Sequence, residues 1–180
     1  MKKENFIFLS NATGGIKTFE DNLIEFFANK EIPSILVNKK NVKQKKYVKF
    51  YKCNILREFF KFIKILIILK KKSANKKNIF IISNPTIFAI YFLFINIIFK
   101  QPRIIFFFHS HLTKIDFLQI LSGIFSSFFS IFIYKTIFVS NFTKKWWNLY
   151  FPFTRLSNNF VQYNKVPKPE KEFKKDYKKI

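Results

Sequence analysis

Glycine is nearly missing from this chain: three residues in 180, two of them adjacent at Gly14 and Gly15. So few glycines leave little room for left-handed turns, so a side-by-side pair marks a place where the backbone bends sharply or is closely approached. Cysteine is scarcer still. The single thiol, Cys53, excludes an intramolecular disulfide and provides no thiolate set for a metal. Acids number 10 against 33 Lys plus Arg, a net charge of +23, and only three of those cations are arginine. Arginine is the residue that reads bases in a bidentate manner, and no zinc-finger or RNP-type pattern is present, so nucleic acid is not the expected partner. A signal peptide is also lacking. Met1-Lys2-Lys3 is basic, but the apolar run behind it is short and has no cleavage site. These features predict a cytoplasmic protein, or one held peripherally on the cytoplasmic face of a membrane.

What abounds is phenylalanine, 28 residues, in a chain that is 49% hydrophobic. That is too apolar for disorder and enough for one domain with a real core. The joint excess of Lys, Phe, Ile and Asn resembles an AT-rich coding bias, so part of the charge carries no message. The remainder suits an anionic membrane surface. From Lys39 to Lys77 there are fifteen basic residues and one acid, Glu58.

Two stretches are apolar enough to raise a membrane-spanning alternative, residues 79–99 and 117–134. The first is interrupted by Asn84-Pro85-Thr86, and proline disfavours helix in the residue before it. It therefore reads as a strand, a turn and a helix over 86–99. The second carries four serines and a glycine and reads as a soluble helix.

Short apolar runs alternate with helical patterns along the whole chain. Strands are expected at 5–10, 33–38, 47–52, 78–83, 103–110, 136–140 and 160–164. Helices are expected at 18–30, 54–72, 86–99, 115–133 and 141–149. In the first helix, Phe19, Leu23, Phe26 and Phe27 form the inward stripe, with Glu20, Asp21 and Glu25 outside. In the second, Arg57, Lys61 and Lys64 share one face. Continuous apolar strands alternating with helices predict an α/β fold, a Rossmann-like open parallel sheet with helices on both faces. Residues 1–166 form the domain, and 167–180 read as a basic tail or linker.

Ligands in such sheets sit at the carboxyl ends of the strands. Three features fall there. The Gly14-Gly15 loop lets a group approach the backbone, and the helix behind it offers free N–H groups to a phosphate. It is neither a G-x-G-x-x-G fingerprint nor a Walker loop. "HSH", His109-Ser110-His111, ends the most apolar strand. It lacks the extra ligands a metal needs and suits contact with a sugar or phosphate. Ser140 caps the helix after the sixth strand, where Lys144 and Lys145 are placed to face an anion. No metal or other cofactor is implied.

The order of these features resembles the N-terminal domain of family 4 glycosyltransferases of the GT-B fold. The matching pieces are "FIFLSNATGGIKTFEDNLIEFFANKEIPSILV", "QPRIIFFFHSHL", "IFVSNFTKKW" and "FVQYNKVP". They span about 10–166. The resemblance implies a retaining transferase that moves a hexose from a nucleotide-sugar to a cell-envelope glycan or lipid-linked acceptor, in polysaccharide biosynthesis. It implies that Gly14 and Gly15 admit the diphosphate or the acceptor and that His109 contacts the transferred sugar. Ser110, His111, Ser140, Lys144 and Asn164 would surround the substrates. Arg57, Lys61 and Lys64 would touch the membrane. Three positions depart from the family pattern. Glu31 stands where a glycine is usual before the second strand, Lys165 replaces the glycine of Asn-Gly-Val, and Pro167 the following aspartate. Nothing matches the family's second domain, which grips the nucleotide and carries a Glu-x7-Glu motif. The chain is therefore expected to be incomplete alone, as a truncated product or one half of a split enzyme. The alternatives are a non-catalytic remnant or the partner-binding half of a split glycosyltransferase, and a small integral membrane protein.

Overall fold

The computed structural model describes residues 4–10, 14–38, 46–55, 57–73, 77–83, 91–109 and 117–163. Seven strands form one sheet: β1 (Glu4–Leu9), β2 (Ser34–Asn38), β3 (Val48–Lys52), β4 (Lys77–Ile82), β5 (Arg103–Phe108), β6 (Lys135–Phe138) and β7 (Asn159–Val161). The order is β3-β2-β1-β4-β5-β6-β7 and every pairing is parallel. Helices connect them: α1 (Gly14–Asn29), α2 (Phe59–Lys72), α3 (Tyr91–Ile98), α4 (Phe117–Ser130) and α5 (Asn141–Tyr150), with a 3-10 turn at Pro152–Leu156. This is the expected Rossmann-like architecture.

The two sheet faces are covered unequally. Alternation along the strands sends Ile7, Leu9, Phe80, Ile82, Phe106 and Phe108 to one face, where α2 and α3 bury Phe62, Leu66 and Ile95 against them. Phe108 is held there between Phe138 and Trp147, with centroid separations of 5.3 and 4.4 Å. Such aromatic pairs add to the gain from burial alone. On the other face, α1 alone supplies helical cover among the described residues. Its Ile24 and Phe27 pack on Phe8, Leu36, Ile81 and Phe107.

Three expectations need correction. Helix α1 begins at Gly14, four residues earlier than its apolar periodicity suggests, so the glycine pair opens the helix and is not a separate loop. Within α1, Glu20 is buried at 3% exposure and Phe26 is exposed at 53%, the reverse of the expected assignment. The inward stripe runs through Glu20, Ile24 and Phe27, spaced by four and three. Finally, α2 starts at Phe59, not at 54. The Glu58 carboxylate accepts from the Asn54 backbone N–H at 2.6 Å and from Lys61 at 3.1 Å. That closes a turn where helix was expected, so Arg57 sits in the turn and does not share a helical face with Lys61 and Lys64.

Residues 79–99 do not make a single rod. They hold most of central strand β4, and after 84–90, which lie outside the described residues with Asn84-Pro85-Thr86, the eight-residue α3. Among the described residues no helix is long and apolar enough to cross a membrane. The tail, 167–180, also lies outside the described residues.

Glu31, the position where a glycine was expected, has φ of 55°. Its N–H donates to the Ala28 carbonyl at 3.1 Å, and the Ile32 N–H to Phe27 at 2.9 Å. These two bonds are the Schellman arrangement that ends a helix with a left-handed residue. The chain makes the turn that glycine would make, with a side chain that disfavours it.

Candidate functional site at the strand ends

Strand β1 leads to β2 on one side, whereas β4 leads to β5 on the other. The gap between β1 and β4 is therefore the point where the order reverses, and where open α/β sheets leave a crevice. The register brings polar residues there. Leu9 pairs with Val37 and with Ile82, so the next residues, Ser10, Asn38 and Ser83, form a row as the strands end. Asn38 Nδ2 donates to Ser10 Oγ at 3.2 Å. Ser10 Oγ donates in turn to Oε2 of Glu20, reaching down from the second turn of α1.

Glu20 is the residue that sequence reasoning missed. Its carboxyl is held above the ordinary range, first by burial; the Ser10 and Ser83 hydroxyls pull it back, and Asp21 adds a smaller upward push. Its other oxygen, Oε1, is buried and has no hydrogen-bond partner among the described residues. The spacing of Glu20 to Ile24 and Phe27 was the available signal. The signal is weak because an acid in a helix is usually solvated.

His109 follows β5 directly. Its ring meets Phe19 edge-on at 4.7 Å and stacks on Phe107 at 6.1 Å. Burial lowers its pKa from 6.5 to about 4, so the ring is neutral at physiological pH. Nε2 is buried with no partner among the described residues. Phe19, the residue beside Glu20, thus links the histidine to α1. The first turn of α1 begins at Gly14, in the connection that follows β1.

The other anticipated residues divide. Ser140 is a helix cap: its Oγ accepts from the Thr143 N–H at 3.0 Å. Lys144 lies in the first turn of α5 and its N–H reaches the Ser140 carbonyl. Among the described residues, no hydrogen bond joins Ser140 or Lys144 to Glu20 or His109. Lys61 pairs with Glu58 on α2, and Lys64 is exposed. Ser110, His111 and Asn164 lie outside the described residues.

A cavity of about 690 Å³ lies at the opposite end of the strands, beside edge strand β3, bounded by Asn5, Ser34, Tyr47, Lys49 and Tyr51. Ser34 Oγ and Tyr51 Oη in its lining are also buried without a partner among the described residues. At the strand ends, two further buried polar atoms, Glu20 Oε1 and His109 Nε2, lack a partner among the described residues.

These features define an open, parallel α/β domain with a row of polar residues at its switch point. The chain matches no protein-family model, and no curated protein matches its sequence.

Proposed function

We propose that the protein is the acceptor-side domain of a glycosyltransferase that moves a sugar from a nucleotide-sugar to a cell-envelope glycan or lipid-linked acceptor. One observation supports this most: Glu20 Oε1 and His109 Nε2 are buried, unpartnered among the described residues, and borne on elements that meet through Phe19. Buried polar atoms in native proteins are almost always satisfied, so a ligand rich in hydroxyls is their natural complement. A neutral imidazole suits a sugar hydroxyl better than a phosphate, because it brings no charge. The diphosphate would sit at the start of α1, where a helix N-terminus favours an anion and Gly14 and Gly15 carry no side chain. Stabilisation of the leaving diphosphate needs further cations, which a donor-binding domain would supply. The protein works peripherally, on the cytoplasmic face of an anionic membrane.

The test is ligand-induced stabilisation of the full chain by a panel of nucleotide-sugars and short glycans. A rise in melting temperature with one class, lost in Glu20→Gln and His109→Ala, supports the reading. No shift with any member overturns it.

A further inference from the structure

Helix α4 is built inside out. Its buried residues are Gly123, Ser126, Ser127, Phe129 and Ser130. Its outer side carries Phe117, Leu118, Leu121, Ile124, Phe125 and Phe128, exposed by 37–77%. A helix facing water places serine outward and phenylalanine inward. Here the small residues face in for a packing reason. A Cβ on Gly123 would meet the Phe151 ring at 2.4 Å, and Ser127 Oγ donates to the Phe151 carbonyl at 3.0 Å. Ser126 and Ser130 satisfy their hydroxyls on helix carbonyls, each at 2.6 Å. Coding bias enriches phenylalanine everywhere and cannot sort it to one side of one helix.

The apolar side of α4 does not stand alone. Phe92 of α3 stacks on Phe129 at 4.8 Å, and α3 presents Leu93 and Ile97 outward. On the far side, Phe128 meets Phe153 of the 3-10 turn at 5.8 Å, and Leu156 is 71% exposed. Exposed apolar surface this continuous marks an interaction site.

Charge identifies the occupant. Between Phe59 and Tyr163 the sequence contains one acid, Asp116, outside the described residues, against fourteen Lys and Arg. Exposed Lys64, Lys70, Lys71 and Lys72 lie on α2, to one side of α3 and α4. Lys145 and Arg155 lie on the other side, on α5 and the 3-10 turn. By contrast, Glu20, Asp21, Glu25 and Glu31 belong to α1 and its end, on the opposite face of the sheet. An apolar centre with cationic flanks, where Glu58 at the start of α2 and Asp116 before α4 are the acids against fourteen Lys and Arg, fits the boundary of an anionic bilayer. It does not fit a second copy, which would oppose lysines to lysines.

We propose that the protein docks on an anionic phospholipid bilayer through the outer side of α4, with α3 and the 3-10 turn beside it and α1 facing away. This rests on the peripheral location proposed above, but not on sugar transfer. It moves the contact from Lys61 and Lys64 to a helix inserted at the interface.

Co-sedimentation of the full chain with phosphatidylglycerol–phosphatidylcholine vesicles, against phosphatidylcholine alone, tests it. We expect binding to the anionic vesicles, weakened by high salt. The variant Phe117→Ser with Leu118→Ser and Phe125→Ser should bind at least about tenfold more weakly. Phe26→Ser, on α1, should bind as the unaltered chain. A dye on Leu121→Cys should shift to the blue on anionic vesicles, while one on Glu25→Cys should not; native Cys53 is fully buried and escapes labelling. Unchanged binding by the triple variant, or an unshifted dye at position 121, overturns the docking face while leaving peripheral attachment. Absence of vesicle binding overturns both and leaves sugar transfer untouched. A solution dimer that the triple variant dissociates, with no vesicle binding, assigns the surface to a second copy and overturns the proposal.

Discussion

The imidazole of His109 meets the Phe19 ring edge-on, with 4.7 Å between centroids. One contact thereby joins the end of β5 to the helix that follows β1. It also places the histidine in surroundings too apolar to protonate easily, and this has a measurable consequence.

His109 has a pKa of about 4 when folded and near 6.5 when unfolded. Between these values the unfolded chain binds more protons, so stability increases with pH across the window. As pH falls from 6.5 to 4 the contribution is lost. Melting temperatures over that range should show this slope, and His109→Gln should flatten it. An equal slope in the variant would assign the dependence to another group.

Glu20 has the opposite sign. Its folded pKa lies above the unfolded value of 4.5, so the unfolded chain releases its proton first. Its contribution is present at low pH and is lost as pH rises from 4.5 through the folded pKa. Glu20→Gln keeps the shape and an acceptor for Ser10 but cannot ionise. Denaturant titrations at neutral pH should find this variant more stable than the unaltered chain, and ligand binding weaker. A less stable variant at neutral pH would mean that the carboxylate charge is itself well held.

Glu31→Gly should stabilise the protein. The residue has φ of 55° at the end of α1. A side chain there costs about 1 kcal/mol relative to glycine, and the two Schellman hydrogen bonds do not depend on it. Urea unfolding should show a gain of about that size, with an unchanged m-value. No gain would mean that the glutamate side chain offsets its own backbone cost.

Gly123→Ala should destabilise. Alanine recovers about 1 kcal/mol of helix propensity. Overpacking against a ring typically costs about 1–3 kcal/mol. Phe151 cannot swing away freely, since its ring lies 4.9 Å from Trp147 and is 7% exposed. The second term wins, and thermal melts should show a net loss. A neutral result would mean that the Phe151 ring tilts without cost.

Legibility in the sequence followed the physics of each element. The strands were readable because a sheet covered on both faces needs unbroken apolar runs, and "FIFL", "IFII" and "IIFFF" supply them. Register was not readable, yet register is what aligns Ser10, Asn38 and Ser83 at the strand ends. His109 was visible as a polar residue ending an apolar strand. Glu20 was not, since an acid beside Asp21 on a helix is ordinarily solvated, and only the partners across β1 and β4 reveal its burial. The start of α2 was misread because "NILRE" has helical composition, while the Glu58 carboxylate closes a turn through Asn54. The inverted side of α4 was invisible for a related reason: alternating Phe and Ser give a helical period without saying which side faces in.

The central proposal is that His109 is a neutral group at the strand ends whose Nε2 pairs with a sugar. The NMR resonances of its imidazole nitrogens, followed in the His111→Gln chain during titration with nucleotide-sugars and glycans, test this most directly. The account predicts a ring that stays neutral well below pH 6.5, towards its pKa of about 4, and a Nε2 resonance that moves when a sugar ligand is added. A ring that titrates near 6.5, or one that no sugar ligand perturbs, would contradict it.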